Sequence, residues 1–211
     1  MAKPILIGIA GCSGSGKTWL ANKILERFTH QSSLLSIDWY YKDLSQLPHD
    51  IASQTNFDHP DSIEKQLLIK DLQTLSRGGP ILAPIYEFAT YSRIPDAYHS
   101  IAPTPLIIVE GIFALHFSEL TELFVERIFV DTPFDLCFQR RLERDQSERG
   151  YSEAIIRSMW ERTVTGSYRD IVKPSSSTAS RLWKSEEDSA FVNRLLADLE
   201  AYLAKNGNAL P

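Results

Sequence analysis

One eight-residue segment near the N-terminus restricts the fold of this chain more than any other feature. Residues 11–18 read Gly-Cys-Ser-Gly-Ser-Gly-Lys-Thr and satisfy the pattern G-x-x-x-x-G-K-[ST]. Glycines let backbone N–H groups turn inward around a phosphate, and the helix N-terminus that follows adds partial positive charge. In such a loop Lys17 reaches the β- and γ-phosphates of a nucleotide, and the Thr18 hydroxyl ligates Mg²⁺. The candidate phosphate-binding residues are Gly11, Ser13, Gly14, Ser15, Gly16, Lys17 and Thr18.

The apolar pattern around this loop predicts alternating strands and helices. Short runs of apolar residues predict buried strands over 5–10, 34–37, 106–109 and 127–131. Helical spacing predicts helices over 19–28, from Asp61 through Leu75, and over 134–148, 153–171 and 191–203. The aromatic-rich stretch 81–94 favours a small irregular hairpin, and the serines at 175–177 favour a loop. The chain is therefore expected to be α/β, with a P-loop NTPase-type parallel sheet and helices on both faces.

Charge and cysteine content narrow the class of protein. The 211 residues include 22 Lys and Arg and 27 Asp and Glu, which gives a net charge of −5. The chain therefore lacks the excess of basic residues that is typical of nucleic-acid-binding proteins. Two cysteines, Cys12 and Cys137, cannot form a disulfide framework, and Cys12 suits a small loop residue better than a nucleophile. The apolar stretch 5–10 is too short for a signal sequence or a membrane span. We expect a single cytoplasmic domain over 1–211, with no nucleic-acid or membrane partner.

Acidic residues follow two of the predicted strands. Asp38 comes after the second strand and Glu110 after the run 107–109. Each could simply cap a backbone N–H, but ligands of open parallel sheets bind beyond the carboxyl ends of the strands, where the phosphate loop also begins. An Mg·ATP enzyme needs a carboxylate near the metal and often one that takes the acceptor's proton. Asp131 also ends a strand, but Thr132-Pro133 follows it, which favours a helix cap.

The predicted helix over 134–148 is rich in arginine. Its bland interpretation is a solvated face of i,i+4 ion pairs, whereas phosphoryl transfer uses mobile arginines to neutralise the transferring group. Given the phosphate loop, we favour a lid over about 134–150, in which Arg140 and Arg144 share one face and Arg141 lies close to it. The arginines and the acids between them are Arg140, Arg141, Glu143, Arg144, Asp145, Glu148 and Arg149.

Five patches in the right order make this chain resemble the uridine kinase (uridine–cytidine kinase) family over about residues 4–174. The most diagnostic patch is Asn-Phe-Asp-His-Pro-Asp at 56–61, which generic P-loop proteins have no reason to contain. The other patches are the loop 11–18, Leu-Ser-Ile-Asp-Trp-Tyr-Tyr-Lys at 35–42, Pro-Ile-Tyr-Glu-Phe-Ala-Thr-Tyr-Ser-Arg at 84–93, and Val-Glu-Gly at 109–111 with its continuation through Gly150. The resemblance implies a P-loop kinase that uses Mg²⁺ with ATP or GTP, and commonly a homotetramer.

The resemblance also implies roles for acidic and aromatic residues. Asp38 matches the general base for the 5′-hydroxyl of the sugar and shares in holding Mg²⁺, with Glu110 as the second acid near the metal. Asp58 matches the carboxylate that binds the ribose 2′- and 3′-hydroxyls. Tyr86 matches a tyrosine at the nucleobase, and Phe57 matches an aromatic wall of that pocket.

In the lid, the resemblance implies that Arg141 serves the sugar side, whereas Arg144 and Arg149 serve the phosphates. We treat His59 as structural, because His-Pro before a helix more often shapes a turn. The catalytic set is thus Asp38, Lys17, Arg144 and Arg149.

The sequence departs from the family at three places. Tyr91 stands where the family has a histidine that touches the base, and Tyr151 stands where it usually has another arginine on the base side. Beyond Pro174 the family usually continues into one more apolar strand, but 175–189 is polar here, so that strand should be absent or very short. The first two changes leave the identity of the base open.

Three functions remain open from sequence. The leading one is a kinase of uridine or cytidine that phosphorylates the 5′-hydroxyl. A P-loop kinase of a phosphorylated sugar or a pantothenate-like alcohol is the nearest alternative, although Asp58 in its setting argues for a ribose diol. A non-catalytic nucleotide switch is the other, but a GTPase would need an N-K-x-D run, and Asn22-Lys23 is followed by Ile-Leu.

Overall fold

A computed structural model describes residues 3–184 and 189–207 of the chain. Five parallel strands form the main sheet in the order β2-β5-β1-β6-β7. They are β1 (Ile5–Gly11), β2 (Ser32–Ser36), β5 (Leu106–Glu110), β6 (Phe124–Val130) and β7 (Arg181–Trp183). Two further strands, β3 (Ile81–Glu87) and β4 (Ser92–Ile101), form a separate antiparallel hairpin. The predicted parallel α/β sheet is therefore confirmed, and the hairpin extends seven residues beyond the predicted end at 94.

Helices cover both faces of the sheet, as predicted. The longer ones are α1 (Lys17–Arg27), α3 (Lys65–Ser76), α5 (Phe134–Arg149), α6 (Glu153–Met159) and α9 (Ser189–Lys205), and the short ones are α2 (His49–Ala52), α4 (Ser118–Thr121), α7 (Thr165–Ser167) and α8 (Lys173–Ser175). Strand β1 divides the core, because Ile5, Ile7 and Ile9 pack with α1 and α9, while Leu6 packs on the opposite face with α3. None of the helices in the described residues is both long and apolar enough to cross a membrane.

Two predicted helix starts shift for local reasons. Helix α1 begins at Lys17, two residues before the predicted start, directly out of the phosphate loop. Helix α3 begins at Lys65 rather than at Asp61, because Pro60–Ser62 forms a separate 3₁₀ turn. The His59 Nδ1 atom accepts the Asp61 N–H at 3.2 Å and caps this turn, which confirms the structural role predicted for it.

The segment predicted as one helix over 153–171 runs further and is not uniform. Two π-helical turns, Trp160–Val164 and Tyr168–Val172, interrupt it, and helical structure continues through a 3₁₀ turn at Ser176–Thr178. The loop predicted at 175–177 is therefore wrong. The three serine hydroxyls donate to carbonyls three residues earlier, at 2.7–2.8 Å, and so satisfy the end of the helix.

Two predictions about strand ends have different outcomes. The last strand exists but spans only Arg181–Trp183, as the polar sequence after Pro174 predicted. The helix cap predicted for Asp131 is wrong, because Pro133 occupies the N-cap of α5 and contributes no side-chain cap. The Asp131 carboxylate instead accepts a hydrogen bond from Lys173 Nζ at 2.6 Å and ties β6 to α8.

Candidate active site

The phosphate loop occupies the turn between β1 and α1 that its motif requires. Gly14 and Gly16 have φ of 79° and 98°, values that side chains with a Cβ rarely adopt. Lys17 is buried, and its Nζ donates to the Cys12 carbonyl at 2.9 Å. The buried Ser15 hydroxyl has no partner among the described residues. An ammonium held over the loop and an unpartnered hydroxyl within it fit a bound phosphate.

Cys12 does not act as a nucleophile in this loop. Its thiol is buried in a small cluster with Cys137, Trp160 and Val164. The hydrogen bond with the Cys137 thiol, together with burial, raises the pKa of Cys12 far above its usual range. The thiol therefore stays protonated and packs helix α5 against the loop.

A half-buried carboxylate and a buried one meet at the carboxyl edge of the sheet. Asp38 lies in a 3₁₀ turn, Ile37–Tyr40, directly after β2, and Glu110 is the last residue of β5. The Ser36 hydroxyl donates to Glu110 Oε1 at 2.8 Å. Burial raises the pKa of both carboxyls, and the charge of Asp38 raises the pKa of Glu110 further. The positive charge of Lys17 opposes both shifts, so the carboxyl pair and the phosphate loop share one electrostatic site.

The donor set here fits magnesium bound together with a nucleotide. No group of three Asp, Glu, His or Cys able to hold a metal occurs within 3–184 and 189–207. Magnesium in phosphoryl-transfer sites is usually held by one or two carboxylates plus substrate phosphates. The residues that could hold such an ion are Asp38, Glu110 and Thr18. Thr18 is exposed, carries a hydroxyl and is the second residue of α1.

A single acidic residue of helix α5 contacts three of its arginines. Asp145 is fully buried, and its carboxylate contacts Arg141 at 3.2 Å, Arg144 at 2.8 Å and Arg149 at 3.5 Å. These three arginines line the same cleft as Asp38, whereas Arg140 is not among the residues that line it. Of the two arginines that helical spacing places on one face, Arg144 therefore lines the cleft and Arg140 does not.

The ribose-matching carboxylate Asp58 has two partners in the cleft. Arg141 Nη1 lies 3.6 Å from Asp58 Oδ1, and the Thr163 hydroxyl lies 2.8 Å from Asp58 Oδ2. The backbone N–H of Asp58 donates to the Asn56 side chain at 3.0 Å, which shapes the turn that presents the carboxylate. Thr163 lies in the first π-helical turn and gave no signal in the sequence.

Aromatic rings form a box beside Asp58. Phe57 and Tyr91 stack with centroids 5.5 Å apart and planes at 16°, and Tyr41 lies 5.3 Å from Phe57 and 5.4 Å from Tyr86. The Tyr86 hydroxyl is buried and has no partner among the described residues, so it offers a hydrogen bond to a ligand. Phe57, Tyr86 and Tyr91 were expected here, whereas Tyr41 was not singled out.

The two departures from the family pattern meet in space. Burial and a hydrogen bond with the Tyr151 hydroxyl raise the pKa of Tyr91 to about 12. Tyr91 is held in the left-handed region, with φ of 53°, and its carbonyl accepts the Leu44 N–H at 3.1 Å. The hairpin tip and the second residue after helix α5 therefore lie close together, and both line the cleft described below.

Many of these groups line one cleft of about 530 Å³, a volume within the usual range of small-molecule sites. Lys17, Thr18 and Glu110 are not among the residues that line it. The cleft extends from the phosphate loop to the aromatic box and to helix α6. Expected site residues on its wall are Ser13, Asp38, Phe57, Asp58, Tyr86, Tyr91, Arg141, Arg144 and Arg149, and additional ones include Tyr41, Phe88, Tyr151, Met159, Arg162 and Thr163.

Comparison with known proteins agrees with this architecture. The profile of the family described as "Phosphoribulokinase / Uridine kinase family" matches residues 6–187. The chain belongs to this family. It is 40% identical over 174 residues to a protein named uridine kinase from Oceanobacillus iheyensis, covering 82% of each chain. It is 41% identical over 173 residues to a protein of the same name from Chloroflexus aurantiacus, again covering 82% of each.

Solved structures of the family's members and neighbours share the fold. A putative fructose transport system kinase from Silicibacter superposes with a TM-score of 0.70 at 16% identity, covering 87% of this chain and 91% of that one. The phosphoribulokinase from Rhodobacter spheroides gives a TM-score of 0.64 at 16% identity, covering 86% and 70%. At such identities the likeness speaks for the fold alone.

Proposed function

We propose that this chain is a nucleoside kinase that transfers the γ-phosphoryl group of ATP or GTP to the 5′-hydroxyl of uridine or cytidine. Its relatives at about 40% identity are named uridine kinase. The observation that carries the proposal is the single cleft in which Asp38, the lid arginines and Asp58 meet an aromatic box. This cleft combines cations that can bind phosphates, a carboxylate that can bind a diol, and aromatic rings that can stack on a base. Such a combination suits a ribonucleoside and a nucleotide bound together.

Asp38 is proposed to accept the proton of the 5′-hydroxyl. The acceptor oxygen forms its bond to the γ-phosphorus while the bond to the β,γ-bridging oxygen breaks, and the nucleoside diphosphate leaves with that electron pair. The hydroxyl proton ends on the Asp38 carboxylate. Burial raises the pKa of Asp38, which makes its ionised form a stronger base than an exposed carboxylate.

The metal and the phosphates are proposed to be held by residues at the carboxyl edge of the sheet. Thr18, Asp38 and Glu110 would hold Mg²⁺, which supplies neutralisation of the charge on the β- and γ-phosphate oxygens when bound. Lys17 binds those oxygens from the loop. In the lid, over about 134–150 of a single domain that spans 1–211, Arg144 and Arg149 bind the transferring group.

Sugar recognition is assigned to Asp58, because a carboxylate accepts two hydroxyl hydrogen bonds at once. Arg141 and Thr163 hold its two oxygens at 3.6 and 2.8 Å and thereby fix its orientation.

Base recognition is assigned to the aromatic box. Phe57 and Tyr91 supply ring faces, and the Tyr86 hydroxyl supplies a hydrogen bond. The Tyr91 and Tyr151 hydroxyls can each donate or accept, so the pair can meet either the carbonyl at position 4 of uracil or the amino group of cytosine. We therefore expect both pyrimidine ribonucleosides as acceptors, with little discrimination between them.

The test is a product assay with ATP and Mg²⁺ against uridine, cytidine, adenosine, 2′-deoxyuridine, pantothenate and sugar alcohols. We expect a 5′-monophosphate from uridine and cytidine, and ATP turnover that needs the nucleoside. Turnover only with a non-nucleoside alcohol would reject the ribose assignment of Asp58, and ATP binding without turnover on any acceptor would indicate a switch. We further expect a cytoplasmic homotetramer, which light scattering of the purified protein tests for the assembly.

A further inference from the structure

Trp19 is a large exposed side chain at an unusual place. It directly follows Thr18 in the first turn of helix α1, next to the phosphate loop. Its side chain is 40% exposed, whereas Leu20, Ala21 and Ile24 of the same helix are fully buried. Part of the Trp19 indole is therefore open to solvent beside the phosphate-binding turn.

The ring of Trp19 is supported by Trp183. Their centroids are 5.6 Å apart with planes at 19°, and the Phe191 ring lies parallel to Trp183 at 6.1 Å. Trp183 is fully buried and ends strand β7 at the carboxyl edge of the sheet. A rigid aromatic stack thus lies beneath the exposed indole.

Strand register places this stack close to the phosphate loop. Gly11 pairs with Val130, and Val130 pairs with Trp183, so the three residues form one row across β1, β6 and β7. Two strand spacings separate Trp183 from the first residue of the loop, about 10 Å. That distance is on the scale of a ribose and its phosphates, so a nucleotide whose phosphates fill the loop can extend its base to this row.

Two further contacts bear on whether the stack can take a ligand. The Trp183 Nε1–H is buried and has no acceptor among the described residues. A buried donor without a partner is uncommon in a native structure and marks a place where a ligand or water can bind. Lys23 Nζ lies 5.7 Å from the Trp19 centroid and is paired with Glu26 on the exposed face. Exposed contacts of this kind are weak, so a base can displace them.

We propose that Trp19, supported by Trp183, is the stacking surface for the purine base of the donor nucleoside triphosphate. The inference rests on the proposed function, because the phosphates must occupy residues 11–18. Stacking on an aromatic ring does not depend on base identity, since every base has a π-face. The surface therefore admits adenine and guanine alike, and both ATP and GTP should serve as donors.

The experiment compares nucleotides with inorganic tripolyphosphate, which has the phosphates but no base. Dissociation constants for ATP, GTP and tripolyphosphate are measured by calorimetry on wild type, Trp19→Ala and Trp19→Phe. Tyr202→Ala is the control, because Tyr202 is an aromatic of similar exposure, 39%, on helix α9. Thermal melting of each variant checks that it is folded.

Trp19→Ala should weaken ATP and GTP about 10-fold or more, since stacking on one base is worth about 1–3 kcal/mol. Its affinity for tripolyphosphate should stay within about twofold of wild type. Trp19→Phe should retain most of the nucleotide affinity, and Tyr202→Ala should match wild type. Unchanged ATP affinity in Trp19→Ala, or equal losses for ATP and tripolyphosphate, would overturn the inference. A wild-type protein that binds neither ligand would overturn the proposed function as well, whereas binding of both with equal affinity overturns only the stacking surface.

Discussion

At the scale of single residues, the half-buried carboxylate of Asp38 is the first to test. Asp38→Asn keeps the shape of the side chain but removes the proton acceptor, so kcat should fall about 10²-fold or more, the usual contribution of a positioned base. Affinity for the nucleotide should change little, because Lys17 and the loop remain. Steady-state kinetics and calorimetry on the same preparation measure the two effects. Equal kcat in mutant and wild type would remove Asp38 from the mechanism.

Thr163 should act through Asp58 rather than on the substrate. Thr163→Val removes the hydroxyl that lies 2.8 Å from Asp58 Oδ2, and loss of a hydrogen bond to a charged group should lower kcat/KM for uridine about 10-fold, mainly through KM. Thr163→Ser keeps the hydroxyl and should retain most of the wild-type kcat/KM for uridine. In an Asp58→Ala background the Thr163→Val change should have no effect. An undiminished effect in that background would contradict the positioning role.

At the scale of secondary-structure elements, helix α5 is the proposed lid, and three of its arginines contact the Asp145 carboxylate. If the lid closes only for catalysis, Arg144→Ala should lower kcat about 10-fold or more with a smaller change in ATP affinity, whereas Lys17→Ala should impair both. Arg157→Ala is the matched control, because Arg157 pairs with Glu153 at 2.6 Å on the exposed face of α6. A silent Arg144→Ala in a folded enzyme would support the solvated-face interpretation of α5.

The hairpin tip and the second residue after α5 should behave as one unit. Tyr91 and Tyr151 line the same cleft, and Tyr151 raises the pKa of Tyr91, so the free-energy effects of changing them should not be additive. We expect Tyr91→His to raise kcat/KM for uridine and cytidine, and Tyr91→His with Tyr151→Arg to raise it more than the sum of the single changes. Kinetics of the four proteins on uridine, cytidine and adenosine measure the coupling. Strict additivity would show that the two tyrosines act independently and would contradict this prediction.

At the scale of the whole molecule, Arg181 joins three parts of the chain. It binds Glu126 of β6 at 3.0 Å and Asp198 of α9 at 2.8 Å, although β7 itself has only three residues. Arg181→Met should lower the free energy of unfolding by about 1–2 kcal/mol, or Tm by about 2–8 °C for a chain of this size.

The Arg181 effect should depend on pH. Burial opposes ionisation of Glu126, but hydrogen bonds from Arg181 and Ser180 outweigh it, so the pKa of Glu126 is lowered in the folded state. A lowered folded pKa stabilises the fold above the unfolded value of 4.5, and that stabilisation is lost as pH falls through the folded pKa. Thermal melts should show the deficit of Arg181→Met at pH 7 and a smaller deficit below pH 4. A deficit of equal size at both pH values would assign the effect to packing.

The sequence predicts what is encoded locally. The phosphate loop has fixed spacing, and buried strands place Asp38 and Glu110 at one sheet edge whatever the rest of the chain does. The role of Asp145 could be predicted only in part. Its i,i+4 spacing to Arg141 and Arg149 can be read from the sequence, but its complete burial depends on the tertiary fold. Thr163 could not be found, since it reaches Asp58 across 105 residues of chain.

The π-helical turn Trp160–Val164 makes this region sensitive to a change in length. A π turn holds more residues than an α turn, so loss of one residue there can convert it to ordinary helix. Each residue of an α-helix turns the chain by about 100°. Such a deletion would swing the following side chains, including Tyr168, whose ring stacks on Phe134 at 4.8 Å, out of their present directions. An alignment gap at this turn in a relative therefore signals altered packing between this helix and helix α5, even where every motif residue is present.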